Sequence, residues 1–181
     1  AKVDFKAVMA RVHQVIKEVE PHDSIERYSQ LGVNCLTGHA RITSPYCVTL
    51  NEQPIYTENI IIATGAKPFV PDFEGLEQVE YLTSDTLWQL DELPEHLLVL
   101  GAGPIGCELA QAFRRLGAEV TVMDMAEQLL PREDAAVGKV IQAQFQSEGI
   151  QCRLGVKVTH FSREAGQQQV HYQHSDNKSL S

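Results

Sequence analysis

Apolar side chains recur at steps of three and four between residues 4 and 20: Phe5, Val8, Met9, Val12, Val15, Ile16 and Val19. That spacing puts them on one face of a helix, with Asp4 placed to cap its start and Pro21 to stop it. Lys6, Arg11, Lys17, Glu18 and Glu20 fall mostly on the opposite, solvated face. A shorter helix is predicted from Ser24 to Leu31, closed by Gly32. From Val33 the period becomes extended. Short strands are predicted at 33–38, 41–44, 47–50, 54–57 and 59–63, split by turn residues, which reads as an antiparallel meander. The all-apolar Ile60-Ile61-Ile62 reads as a buried strand. A loop with Pro68, Pro71, Asp72 and Gly75 follows, then a short helical connection over 83–94.

A second pattern starts at His96. Leu97–Leu100 is predicted as a buried strand, Pro104–Leu116 as a helix stopped by Gly117, and Glu119–Met123 as another apolar strand. The next helix, from about Asp134, is predicted to bury Ala136, Val137, Val140, Ile141 and Phe145 and to end at Gly149. Ile150–Leu154 alternates as a third strand, with two further short strands at Val156–Phe161 and Gln168–Tyr172. The β-α-β-α-β order calls for parallel strands joined by right-handed crossovers. The fold class expected is α/β: a Rossmann-like parallel sheet together with an antiparallel β-meander. The last residues, 175–181, are polar, and there is no internal repeat.

The sharpest chemical signal sits at the join of the first strand and helix of this second pattern. Gly101-Ala-Gly103-Pro-Ile-Gly106 is a G-x-G-x-x-G turn, the arrangement that holds a dinucleotide. Gly101 permits the tight turn, Gly103 clears the approach of a pyrophosphate, and Gly106 lets helix and strand pack closely. Pro104 and Ile105 begin the helix, whose free N–H groups and positive dipole end face the anion. Proline suits this first turn because its missing donor would have gone unused. Asp124 closes the second strand 23 residues after Gly101 (124 − 101), where a carboxylate accepts hydrogen bonds from the adenine-side ribose. With Met125 beside it and no arginine between Met125 and Pro131, a 2′-phosphate would meet only negative charge, so NADH is favoured over NADPH. The bland alternative is a glycine turn that merely closes a strand-helix joint.

The 181 residues carry 15 basic and 24 acidic side chains, a formal charge of −9, which argues against a nucleic acid partner held by bulk phosphate attraction. At roughly 150 residues per domain the length allows one domain or two small ones. No apolar run approaches the ~18 residues needed to span a bilayer, so no membrane partner is expected. No signal peptide is expected, and because the chain enters its helical pattern directly at Ala1 it is expected to be an interior piece of a longer protein. Cys35, Cys47, Cys107 and Cys152 show no metal-type spacing and read as reduced, buried, inert thiols, which points to a cytoplasmic protein. His171 and His174 are three apart on an extended segment and project to opposite faces, so no metal site is expected.

Ile60-Ile-Ile-Ala-Thr-Gly65-Ala-Lys-Pro68, followed by Gly101-Ala-Gly-Pro-Ile-Gly-Cys-Glu-Leu-Ala-Gln-Ala-Phe113 and Leu130-Pro-Arg-Glu-Asp134, resembles the flavin-dependent pyridine nucleotide–disulfide oxidoreductases. The likeness is strongest to the mercuric reductase and dihydrolipoamide dehydrogenase branch, and it covers nearly the whole chain. The resemblance implies a partial FAD-binding domain over residues 1–94 and an NAD(P)-binding Rossmann domain over 95–181 that lacks its C-terminal end. It implies that the backbone of Ala63, Thr64 and Gly65 lies against FAD, with a further contact to the FAD adenine near Ala40. It assigns Glu108 to an ion pair with a lysine beside the flavin and Val156 to the adenine pocket of NAD. A glutamate favoured by the helix dipole and an ordinary strand valine explain the last two residues equally well.

Pro104 stands where some members carry a tyrosine that gates the nicotinamide pocket. The family's first FAD fingerprint, its redox cysteine pair and its C-terminal dimerisation domain have no counterpart in this sequence. What the resemblance implies for the intact protein is a homodimer that passes electrons from NADH through FAD to a disulfide or related acceptor, this chain alone being inactive. The competing functions are a non-catalytic NAD-sensing module and an S-adenosylmethionine methyltransferase. The segment ending in Ala63-Thr-Gly65 and the third glycine, Gly106, disfavour the methyltransferase.

Overall fold

The computed structural model describes residues 3–174, and the polar run 175–181 lies outside the described residues. The chain divides into two compact units, Arg11–Pro68 and the described parts of Ala1–Ala10 with Phe69–Ser181.

Helix α1 (Phe5–Val19) begins where the periodicity places it. Asp4 Oδ1 accepts the Ala7 N–H at 3.1 Å, satisfying one of the donors a helix start leaves open. Its apolar face divides along its length. Phe5 and Met9 are buried, with the Phe5 ring 6.0 Å from that of Phe113, whereas Val15, Ile16 and Val19 are exposed.

Within Arg11–Pro68, α2 (Ile25–Gln30) is capped by Ser24, whose Oγ accepts the Arg27 N–H at 3.2 Å. Strands β1 (Ala40–Ser44), β2 (Cys47–Leu50) and β3 (Gln53–Tyr56) form the expected antiparallel meander in the order β1-β2-β3. Asn51 and Glu52, both at positive φ, make the tight turn between β2 and β3.

Two expected strands are absent. Residues 33–38 and 59–63 form no strand among the described residues. Ile61 is 92% exposed, so the expected burial of Ile60–Ile62 is corrected. An apolar run becomes a buried strand only if neighbouring strands take up its N–H and C=O groups and something covers both faces.

The larger unit holds the parallel sheet. Strands β4 (His96–Leu100), β5 (Glu119–Asp124) and β6 (Gln151–Leu154) lie in the order β4-β5-β6, connected by helices α3 (Pro104–Leu116) and α4 (Ala135–Glu148). The central strand carries the core: Val120, Val122 and Met123 are buried, packed with Ala110, Phe113, Leu129 and Phe145. Strand β4 is half-buried rather than buried, because it pairs on one side only, Val99 against Val122.

The inward face of α4 also differs from expectation. Gly138 and Phe145 are buried and Ile141 partly so, while Ala136, Val137 and Val140 face outward. The sequence offers two overlapping apolar arcs, and the helix takes the one centred on a residue with no side chain.

The last two strands are longer than expected and form one antiparallel hairpin, β7 (Val156–Glu164) and β8 (Gln167–His174), with a bulge between Val158 and His160. It is tied to the preceding loop by the Phe161 N–H to Glu74 O bond at 2.8 Å and by the edge-on Phe73–Phe161 ring pair at 5.6 Å.

Helices α3 and α4 are clasped at one end by Glu148. Its carboxylate accepts from Arg115 Nη2 at 2.7 Å, Gln144 Nε2 at 2.6 Å and Gln111 Nε2 at 3.0 Å. Those donors, Arg115 first, hold the Glu148 carboxyl down at about 2. A carboxyl held below its unfolded value contributes stability above that unfolded value, and the contribution is lost as pH falls through the folded one. Glu148→Gln is therefore expected to lower the thermal midpoint at neutral pH. The gap to wild type should close as pH falls from about 4.5 toward about 2. Paired thermal melts across that window check it, and a gap independent of pH would contradict it.

No described helix is long and apolar enough to cross a membrane.

Candidate dinucleotide site

The chain leaves β4 at Leu100 and turns directly into α3. Gly101 sits at φ +113°, a conformation L side chains rarely adopt, and its N–H bonds the Met123 carbonyl at 2.8 Å. At Gly106 a Cβ would collide with the Gly101 carbonyl oxygen, so the absence of a side chain there lets the helix close onto the strand end.

Gly103 differs from both. Its φ of −73° and ψ of 179° suit any residue, and a Cβ there would meet nothing within 4 Å. Neither backbone nor packing in this chain calls for glycine at 103. Gly103 is also the N-cap of α3, which has no side-chain cap and carries Pro104 in its first turn. The space beside it is thus bare and lined by amide donors at a helix N-terminus, where an anion is stabilised. A side chain at 103 would project into that space.

Asp124 ends β5 beside this turn, half-buried. Its Oδ2 accepts the Ala102 N–H at 2.6 Å and its Oδ1 accepts the Ala126 N–H at 2.7 Å. Each carboxylate oxygen has a further lone pair, so the group can hold the turn and still accept from a ribose hydroxyl.

Residue Ala102 is secured through its carbonyl too. Its carbonyl accepts the Leu130 N–H at 2.8 Å and the Cys107 thiol at 3.4 Å. Ala126 in turn accepts the Gly155 N–H at 2.9 Å, which ties the loop after β5 to the chain entering β7. Ile105 and Met125, 63% and 62% exposed, stand at the open side of the turn and of the acid. These ties through Ala102, Ala126, Leu130 and Gly155 were not legible in the sequence, because their donors and acceptors are mostly backbone groups that every residue carries.

Val156 is 3% exposed, its side chain packed inside the unit as the first residue of β7. Glu108 is exposed on α3 and forms no ion pair among the described residues. Ala40, at the start of β1, and Ala63, Thr64 and Gly65 belong to the other unit and are all exposed.

Cys47 and Cys107 are buried, Cys35 and Cys152 only partly so, and all four are free thiols. Burial pushes the Cys107 and Cys152 thiols up, which keeps them protonated and unreactive. His171 stacks on His160 across the hairpin with ring centroids 4.0 Å apart, while its Nε2 bonds Ser162 Oγ at 2.9 Å. No group of three His, Cys, Asp or Glu residues that could hold a metal ion occurs among the described residues.

The profile of the pyridine nucleotide-disulphide oxidoreductases matches residues 4–181. Mercuric reductase of Bacillus cereus is 28% identical over 180 residues, which is 99% of this chain and 28% of that protein. Mercuric reductase of Shewanella putrefaciens is 41% identical over 112 residues, 60% of this chain and 20% of that protein. Among solved structures, the HOCl-induced flavoprotein disulfide reductase RclA from Escherichia coli superposes with a TM-score of 0.81 at 29% identity, over 96% of this chain and 40% of that one. The water-forming NADH oxidase from Lactobacillus brevis, solved bound to NADH, shares the fold with a TM-score of 0.59 at 22% identity, over 74% of this chain and 33% of that one. The chain spans about a quarter of the length of the curated relatives it matches.

Proposed function

Because this chain belongs to the pyridine nucleotide-disulphide oxidoreductase family, we propose that its residues 95–181 hold NADH for a flavin-dependent oxidoreductase acting on a disulfide or related acceptor. Residues 1–94 are then part of the flavin-binding domain of the whole protein, which we place in the cytoplasm as a homodimer. The observation that carries this reading is Gly103, a glycine whose backbone angles and surroundings would both accept a side chain. Its bare face, at the uncapped start of α3, suits the diphosphate of the nucleotide.

The dinucleotide supplies a hydride when bound, and the residues on this chain bind and orient it. The α3 amides fix the diphosphate, Asp124 takes the adenine-side ribose, and Ile105 and Met125 border the open side. Flavin contacts at Ala40, Ala63, Thr64 and Gly65, an ion pair of Glu108 beside the flavin, a nicotinamide-side position for Pro104, and a place for Val156 beside the adenine follow from the family likeness. No step is derived through them.

Preference for NADH over NADPH rests on Asp124, whose charge opposes a 2′-phosphate. Asp124→Ala is expected to weaken both nucleotides, since Ala102 and Ala126 lose their acceptor. NADH should lose more, so that the affinity ratio moves toward NADPH by about tenfold, the effect of roughly 1.4 kcal/mol. Titration calorimetry with each nucleotide reads this directly. An unchanged ratio would remove Asp124 from the specificity role, and a wild-type chain that binds neither nucleotide would overturn the proposed site.

A further inference from the structure

The segment between Met125 and Asp134 is not a slack connection. Leu130 holds a positive φ of 51°, unfavourable for a leucine, with its N–H fixed on Ala102 and its carbonyl accepting the Glu133 N–H at 2.9 Å. Gln128 Nε2 donates to Glu133 O at 3.1 Å, closing the segment on itself. Leu129 is fully buried in the core.

What lets the segment lie so close is a glycine one turn into α4. A Cβ at Gly138 would stand 2.8 Å from the Leu129 carbonyl oxygen and 3.6 Å from Gln128 Cβ. Glycine inside a helix costs up to about 1 kcal/mol relative to alanine, so helix formation does not ask for it. Its φ lies outside the positive region, which excludes a conformational reason as well. Close approach of the loop is the reason left.

We propose that Gly138 is a positioning residue for the adenylate half of the nucleotide site. By allowing the 125–134 segment to seat against α4, it sets where the Leu130 N–H meets the Ala102 carbonyl, and through that residue, whose N–H bonds the carboxylate, where Asp124 points. The inference deepens the proposed nucleotide reading and rests on it. Gly138 itself touches no nucleotide: its effect runs through Leu129, Leu130 and Ala102. A methyl at 138 cannot be relieved by a flexible side-chain tip, because the atom it meets is backbone. The segment must move away by several tenths of an ångström, which lengthens the Leu130–Ala102 bond.

The test uses this whole chain with Gly138→Ala, and with Val140→Ala as a control on the outward face of the same helix, 68% exposed. Without ligand, amide hydrogen exchange at Leu130 is expected to accelerate in Gly138→Ala and to stay at the wild-type rate in Val140→Ala. With ligand, calorimetry should show NADH and ADP-ribose binding about tenfold weaker, because a small misplacement of a positioned group is costly. The NADH-to-NADPH affinity ratio should shrink at least about threefold, which a general loss of stability would not produce. Wild-type-like exchange at Leu130 together with an unchanged ratio would overturn the proposal while the nucleotide site stood. Failure of the wild-type chain to bind NADH would instead remove the nucleotide reading and this inference with it. If Gly138→Ala does not fold, Gln128→Ala loosens the same segment from its other side. Faster Leu130 exchange and about threefold weaker ADP-ribose binding are then expected, and wild-type values would refute the proposal.

Discussion

Gly103→Asp is expected to abolish NADH binding while leaving the thermal midpoint unchanged or slightly raised. The two effects have opposite signs because position 103 serves the fold and the ligand differently. As the N-cap of α3 with extended backbone angles, it is a place where a carboxylate can accept a helix N–H, and Asp is among the most favoured residues there. Nothing within 4 Å resists a Cβ there, so the first side-chain atom meets no clash. The same carboxylate, however, occupies and charges the space proposed for the diphosphate. Two like charges about 4 Å apart near a protein surface repel by about 4 kcal/mol, enough for a loss of more than about 100-fold in affinity. Calorimetry and a thermal melt on the same preparation suffice. Binding that survived Gly103→Asp would mean the nucleotide lies elsewhere, and a collapsed midpoint would mean the glycine is structural after all.

Three residues along, Gly106→Ala should do the reverse damage. Here the added methyl overlaps the Gly101 carbonyl oxygen, a backbone atom that cannot swing aside, and Val99 Cγ1 is only 3.4 Å away. Overpacking of a rigid site costs typically 1–3 kcal/mol, and this contact belongs at the upper end, about 3 kcal/mol. For a chain of this length that lowers the midpoint by roughly 6–12 °C. Nucleotide binding falls too, as a consequence of the displaced α3 start rather than of a blocked site. A midpoint within about 2 °C of wild type would show that helix and turn separate easily, against the close packing the structure displays. Gly103→Asp and Gly106→Ala therefore divide one motif into a ligand glycine and a packing glycine.

Much of this was legible beforehand because the signals are local. Strand β4, the G-x-G-x-x-G turn, α3 from Pro104 to Leu116, β5 and Asp124 stand where periodicity and turn chemistry put them. Each depends on a short run of residues whose preferences agree with one another. The failures are non-local. Ile60–Ile62 reads as a buried strand because the pattern assumes neighbours, and the described unit provides none. On α4 the apolar residues Val137 and Val140 point outward, since Gly138 is what the packed segment opposite requires. Helix-interior glycine was the one available hint, and an apolar-periodicity count passes over it.

The sequence alone determined the α/β class, the glycine turn and the acid that follows it, because backbone conformation and hydrophobic period are encoded within a few residues. Tertiary structure alone decided that Gly103 is bare without any internal cause and that Asp124 already binds two amides. It also decided that the 125–134 segment is pinned through Leu130 and Gly138. The reason is geometric: hydrogen bonds between backbone groups and the clearance around a missing side chain depend on which distant segments meet.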